Sequence, residues 1–170
     1  MTATDLDAPE TIATPAWHAP PARAVRLHAG FVAAMFALCT LGALAGPLFA
    51  MDRYGLARFG IALAVVLLSA ALGGWIGARL RHQRWKLDEE GLWLRTGRLW
   101  WRETRVPASR VQHVDLKHGP LERRAGLATL VVHTAAVHLS GITVRGLDEA
   151  DAQHLRDALA RQLDDAGDAL

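Results

Sequence analysis

The sequence predicts a two-helix transmembrane hairpin followed by a small, mostly-β domain closed by one C-terminal α-helix. Three observations predict it. Two long uncharged apolar runs, Ala29 to Met51 and Phe59 to Ala78, are separated only by Asp52-Arg53-Tyr54-Gly55-Leu56-Ala57-Arg58. Short apolar stretches punctuated by turn residues fill the region from Trp85 to Val144. A last segment, Glu149 to Leu163, places Ala152, Leu155, Ala158, Leu159 and Leu163 on one helical face.

A bilayer core about 30 Å thick takes about 20 helical residues to cross. Both runs reach that length without an Asp, Glu, Lys, Arg or His. The predicted organisation is therefore a disordered tail over residues 1–24, rich in Ala, Pro and Thr, and a hairpin over 25–82 with spans near 29–51 and 59–78. A β-rich domain over 83–165 and a short tail over 166–170 follow. Ala43-Leu44-Ala45 resembles a signal-peptide cleavage site. However, the apolar run continues past it, acidic residues precede it, and a second span follows at once. An interior free of ionisable groups argues against a proton relay, pump or transporter. Gly30 and Ala34, and Gly73 and Gly77, are four residues apart near the same end of the two spans, which suits close helix packing within the hairpin. Pro47 is expected to kink the first span.

Charge sets an expected orientation. Arg23 and Arg26 precede the first span, and Arg79, Arg81, Arg84 and Lys86 follow the second. The connecting loop has only Arg53 and Arg58, opposed by Asp52. The positive-inside bias then predicts a bacterial inner-membrane protein with both termini and the polar domain in the cytoplasm. Residues 79–145 hold 13 Lys/Arg against 6 Asp/Glu, whereas residues 146–170 hold 2 against 7. A basic surface beside a bilayer suits anionic headgroups. Nucleic acid is not expected as the partner of a membrane-held domain.

Within the domain the expected strands are Trp85–Leu87, Leu92–Arg95, Leu99–Val106, Val111–Lys117, Ala128–His133 and Val137–Val144. Asp88-Glu89-Glu90-Gly91 and Thr96-Gly97-Arg98 supply turns. On the strand from Leu99, alternation puts Trp100 and Arg102 on one face and Leu99 and Trp101 on the other, so one of the two tryptophans is expected in the core. On the strand from Val111, the face with Val114 and Leu116 is expected inward. Leu121 to Ala125 reads as a single helical turn, and Asp148 as the N-cap of the last helix.

The stretch Arg105 to Val114, then Gly119 to Leu130, then His133-Thr134-Ala135, resembles the bacterial pleckstrin-homology (PH) domain of the YdbS-like, membrane-flanked family. Gly91-Leu92, Gly97 and Gly146-Leu147 fit the same pattern. Ala125 and Ala136 depart from it, standing where an aromatic and a glycine are common. The resemblance implies two transmembrane helices and a PH-like domain of two packed antiparallel sheets capped by one C-terminal α-helix. It also implies assembly with other membrane proteins, a larger tandem-PH relative among them, or with further copies of itself. PH domains that bind phosphoinositides use basic residues in the loop after the first strand. Here that loop is Asp88-Glu89-Glu90, so that specificity does not transfer.

Motifs for catalysis are absent from the sequence: there is no G-x-x-x-x-G-K-[ST], G-x-S-x-G or H-E-x-x-H. The sole cysteine, Cys39, lies within the first apolar run. His113, His118, His133 and His138 fall in the β region, and His113 and His133 can approach across strands. Without a cysteine or a helical i, i+4 histidine pair they read as strand-surface residues, and no metal or cofactor is expected. The expected function is a non-enzymatic scaffold or interaction subunit of a membrane complex. Its interaction loop would be Gly119, Pro120, Arg123 and Arg124. The alternative is a sensor of anionic lipid headgroups through Arg79, Arg81, Arg84, Lys86, Arg95 and Arg98.

Overall fold

Both apolar runs form helices, and each extends beyond its uncharged stretch. The computed structural model describes residues 16–50, 55–134 and 141–168. Helix α1 is Ala22–Ala50 and runs through Pro47; α2 is Ala57–Gly77. Both are long and apolar enough to cross a membrane. A single 3-10 turn, Ala78–His82, leads from α2 into the domain. Tyr54 and the other connecting residues before Gly55 lie outside the described residues.

Small residues decide how the two helices meet. A Cβ on Gly77 would stand 2.6 Å from Ala29 Cα, and one on Gly73 would stand 2.8 Å from the Val32 carbonyl oxygen. Thr40 Oγ1 donates to Ser69 Oγ at 2.9 Å across the same seam. In lipid this packing substitutes for a hydrophobic driving force, because acyl chains are as apolar as the helices. Gly30 and Ala34, expected on the seam, are exposed, and nothing lies within 4 Å of a Cβ at Gly30, Gly42 or Gly46. The residues that α1 offers to Gly73, Gly74 and Gly77 of α2 are His28, Ala29, Val32, Ala33 and Phe36, flanking the predicted pair rather than including it.

The domain holds two three-stranded antiparallel sheets. The first comprises β1 (Arg84–Asp88), β2 (Gly91–Thr96) and β3 (Arg102–Pro107). The second comprises β4 (Val111–Lys117), β5 (Leu127–Thr134) and β6 (Ile142–Asp148), with the short helix α3 (Pro120–Arg124) between β4 and β5. Helix α4 (Glu149–Asp168) follows, and its first turn receives a capping bond from Ala150 N–H to Asp148 Oδ1 at 3.4 Å. Leu92, Leu94 and Val106 from one sheet meet Leu130, Val132, Ile142 and Val144 from the other, and Ala152, Leu155 and Leu159 of α4 close the core. Each Val, Leu or Ile among them, buried fully, contributes about 1.5–3 kcal/mol. The fold is a transmembrane hairpin carrying a PH-like domain of two sheets and a C-terminal helix.

Three local expectations are corrected. The strand foreseen from Leu99 begins only at Arg102, and Leu99, Trp100 and Trp101 occupy an exposed loop, Leu99 at 90% and Trp100 at 93%. Neither tryptophan is core. Val111 is buried although simple alternation points it outward, because a bulge at Gln112 inserts one residue and reverses the phase of the strand. The third correction concerns residues 16–21, foreseen as part of a disordered tail. His18 pairs with Trp85 through both backbone bonds, N–H to O at 2.7 and 3.1 Å, and α1 starts at Ala22. The expected strand start at Val137, together with His138, Ala135 and Ala136, falls outside the described residues.

Candidate functional site

Hairpin and domain are docked rather than merely tethered. Arg23 of α1 forms an ion pair with Asp148 and donates to the Gly126 carbonyl at 3.3 Å. The buried Gln83 donates from Nε2 to the Arg145 carbonyl at 3.1 Å. This docking fixes where the basic residues after α2 stand relative to the β-domain.

Beside that junction lies a cavity of about 730 Å³ between the end of α2 and the β2–β3 loop. Arg79, Arg81 and His82 line one side and Arg98 the other. Trp75, Leu99 and Trp100 complete the wall on the apolar side. Among the described residues no carboxylate lines the cavity, so its cations face one another across open space. Arg79 lies over the Trp75 ring at 4.4 Å, and Arg81 donates from Nε to His82 Nε2 at 3.2 Å. Among the described residues, Arg79, Arg81 and Arg98 form no ion pair. Three guanidiniums without counter-charges among the described residues, beside an apolar rim, have the chemistry to receive an anion with an apolar neighbour.

The six lipid candidates thus separate into two groups. Arg79, Arg81 and Arg98 converge on the cavity. Arg84, Lys86 and Arg95 are committed elsewhere. Arg84 donates to the carbonyls of Arg81 and Gln83 at 2.7 and 2.8 Å. Lys86 pairs with Asp88 at 3.1 Å. Burial by itself raises the Asp88 pKa, but the Lys86 partner and a hydrogen bond from Glu90 N–H outweigh it, and the carboxyl is held below its ordinary value. Arg95 donates from Nε and Nη2 to Glu103, its direct cross-strand partner, at 3.0 and 2.7 Å.

Aromatic rings complete the capture of Lys86 and Arg95. The Trp17 ring receives Arg95 at 4.5 Å and Lys86 at 5.5 Å, Trp93 receives Lys86 at 4.6 Å and Arg105 at 4.9 Å, and Trp101 receives Arg95 at 4.8 Å. His18 stacks on Trp85 at 4.4 Å. His18 therefore extends the first sheet along the edge of β1, on the side of the buried Trp85, while Trp17 covers Lys86 and Arg95 on the outer face. Both fall within residues 1–24, expected from the sequence as a disordered tail.

The predicted interaction loop also divides. Gly119 N–H donates to Glu122 Oε2 at 2.9 Å, and Thr129 donates to Glu122 Oε1 at 2.9 Å, so this turn locks α3 against β5. Gly119 and Pro120 border a second cavity of about 400 Å³ against Leu27 and Phe31 of α1. Arg123 and Arg124 are exposed.

Comparison with known proteins places this architecture. The family described as Bacterial PH domain matches residues 36–163, from within the first span to α4. The chain belongs to the bacterial PH domain family. A Bacillus subtilis (strain 168) relative in this family, described as UPF0699 transmembrane protein YdbS, is 34% identical over 105 residues. The alignment covers 60% of this chain and 64% of that protein. No solved structure matches the chain. The bacterial PH fold thus agrees with two apolar helices followed by two sheets and a helix, and its YdbS-like character with the hairpin.

Proposed function

We propose that this protein is a membrane-anchored, non-enzymatic PH-like module that holds an anionic lipid headgroup where its hairpin meets its β-domain. It sits in the bacterial inner membrane with the domain and both termini cytoplasmic. The observation that carries the reading is the convergence of Arg79, Arg81 and Arg98 on one cavity whose rim is Trp75, Leu99 and Trp100. The phosphate of a lipid takes the guanidiniums, while Leu99 and Trp100 enter the interfacial layer that favours amphipathic and apolar rings. The Lys/Arg bias across the spans supports the orientation.

The test uses the full chain in nonionic detergent, offered labelled phosphatidylglycerol or phosphatidylcholine. Each cation near an anionic surface contributes about 1 kcal/mol, and 1.4 kcal/mol is tenfold. Replacing Arg79, Arg81 and Arg98 together by Gln is thus expected to cut the preference for phosphatidylglycerol by about 100-fold. Arg98→Gln alone lowers it about fivefold without touching the charges that set topology. Arg95→Gln, whose charge is already paired with Glu103, leaves it nearly unchanged. Equal retention of the two lipids by the wild type overturns the reading.

A scaffold role rests on a different surface. Gly30 with Ala34 and Gly42 with Gly46 are two exposed pairs of small residues on α1, separated by the exposed Leu38, and each pair admits a second helix closely. The partner would be another membrane protein, such as a larger tandem-PH relative, or a further copy of this chain. Weighing the particle extracted in mild detergent tests this reading: a complex larger than one 18.4 kDa chain is expected, and a strictly monomeric particle removes it.

A further inference from the structure

The bulge at Gln112 has a chemical consequence on the outer face of the second sheet. Beyond it, His113 and Asp115 point outward from β4, and His113 stands directly opposite His133 of β5. Residues i and i+2 of a strand share a face, and a directly opposed residue on the neighbouring strand shares it too. Two imidazoles and one carboxylate are thereby brought together, with their donor atoms all within 4.8 Å of one another.

The geometry points to a binding site for a late first-row divalent cation of the Zn²⁺ type, held by His113, Asp115 and His133. His133 Nε2 lies 3.3 Å from Asp115 Oδ2, and His113 Nε2 lies 3.9 Å from the same oxygen. Donors around a tetrahedral ion with bonds of about 2.0–2.2 Å are separated by about 3.3 Å, so the set needs only a modest turn of the rings to close. The His113 side chain is more than half exposed and free to turn. The two rings lie face to face, 4.1 Å apart and 13° from parallel, so each must tilt for its nitrogen to converge on a shared ion.

A second observation shows that the cluster is incomplete as it stands. His133 Nε2 is buried and has no hydrogen-bond partner among the described residues, since Asp115 is near but wrongly angled. Buried polar atoms are otherwise nearly always satisfied. Nor does Asp115 form an ion pair with a Lys or Arg among the described residues, in a region dominated by cations. Its contacts at salt-bridge distance are the two histidines. Imidazole donors select Zn²⁺, Co²⁺, Ni²⁺ or Cu²⁺ over Mg²⁺ and Ca²⁺. Three protein ligands leave the fourth position to water. A bound ion would clasp β4 to β5 just past the bulge, on the face opposite the core, using none of the residues that line the arginine cavity.

The experiment is a Co²⁺ titration of the full chain in nonionic detergent, without a histidine tag and stripped of metal beforehand. Visible d–d absorption reports binding, and added Zn²⁺ should displace the Co²⁺. One ion per chain is expected. His133→Gln and Asp115→Asn should each weaken binding at least about tenfold, the range already seen for groups one shell further out. His118→Gln should leave binding intact, because that imidazole is engaged with Glu149 at 2.8 Å elsewhere. Zn²⁺ should also raise the melting temperature of the wild type but not of Asp115→Asn, since a ligand bound only by the folded state stabilises it. Absence of saturable Co²⁺ binding to the wild type overturns the site, as does binding that survives both substitutions. Either result leaves two stacked, metal-free histidines.

Discussion

Gly77→Leu is expected to open the hairpin. A Cβ at that position would stand 2.6 Å from Ala29 Cα, 2.9 Å from the His28 carbonyl oxygen and 3.1 Å from Ala29 N, all backbone atoms of the facing helix. Backbone cannot rotate out of the way as a side chain can, so the helices must separate. Separation also undoes the contact at Gly73 and stretches the Thr40–Ser69 hydrogen bond. Overpacking a tight site costs about 1–3 kcal/mol and sometimes more, and an interhelical hydrogen bond in a membrane adds about 0.6 kcal/mol. A loss of about 3 kcal/mol is therefore expected in thermal unfolding of the detergent-solubilised chain. Gly60→Leu is the matched control: it adds the same side chain to α2 itself where nothing lies within 4 Å. Its melting temperature should match the wild type. If the two variants melt alike, the seam does not run through Gly77. The disturbance should also travel, because Ala24 and Leu80, at this end of the hairpin, both border the cavity beside Gly146. Arg79 and Arg81 would shift away from Arg98, and anionic-lipid preference should fall together with stability.

What the sequence made legible was whatever depends on local pattern. Uncharged runs of span length announced the hairpin, and the spacing of Ala152, Leu155 and Leu159 announced the buried face of α4. The strands were also readable, since short apolar stretches between Gly and Pro turns leave few alternatives. Long-range pairing was not readable. Arg95 looked like a free cation until the β2–β3 register set it opposite Glu103, and Lys86 until its neighbour Asp88 folded back on it. Trp17 and His18 carried no sign that they would lie on Trp85, Lys86 and Arg95, because that contact depends on where α1 enters the domain. The bulge at Gln112 is similar: one extra residue leaves composition and periodicity almost unchanged, yet it turns Val111 into the core and places His113 opposite His133 on the outer face. Apolar content misled at Leu99-Trp100-Trp101. β-propensity there favours a strand, but the segment gains no cross-strand partner among the described residues and stays exposed, with Leu99 and Trp100 beside the end of α2.

Gly91→Ala is expected to be the most damaging single-methyl change in the β-domain. Gly91 ends the turn between β1 and β2 with φ +127, in a region that side chains rarely enter. A Cβ there would lie 2.1 Å from the Val106 carbonyl oxygen and 3.0 Å from Ala108 N and Pro107 Cα. Relief demands either a different backbone conformation at residue 91 or withdrawal of β3. Both break the Gly91–Pro107 pairing, and the next pair in the ladder is Leu92 with Val106, two of the most deeply buried residues in the core. Backbone strain of this kind costs about 1–3 kcal/mol, before any loss from repacking the core around Leu92. Against the 5–15 kcal/mol that holds a typical domain folded, the variant should lose much of its margin. Its β-domain should become susceptible to limited proteolysis at temperatures the wild type resists. Glu90→Ala, one residue earlier, removes the exposed ion pair with Arg105 at 2.6 Å but adds nothing to the turn. An exposed pair contributes at most about 1 kcal/mol, so this neighbour should be barely affected. Equal protease resistance of Gly91→Ala and the wild type would show that the β1–β2 turn has room the backbone geometry denies.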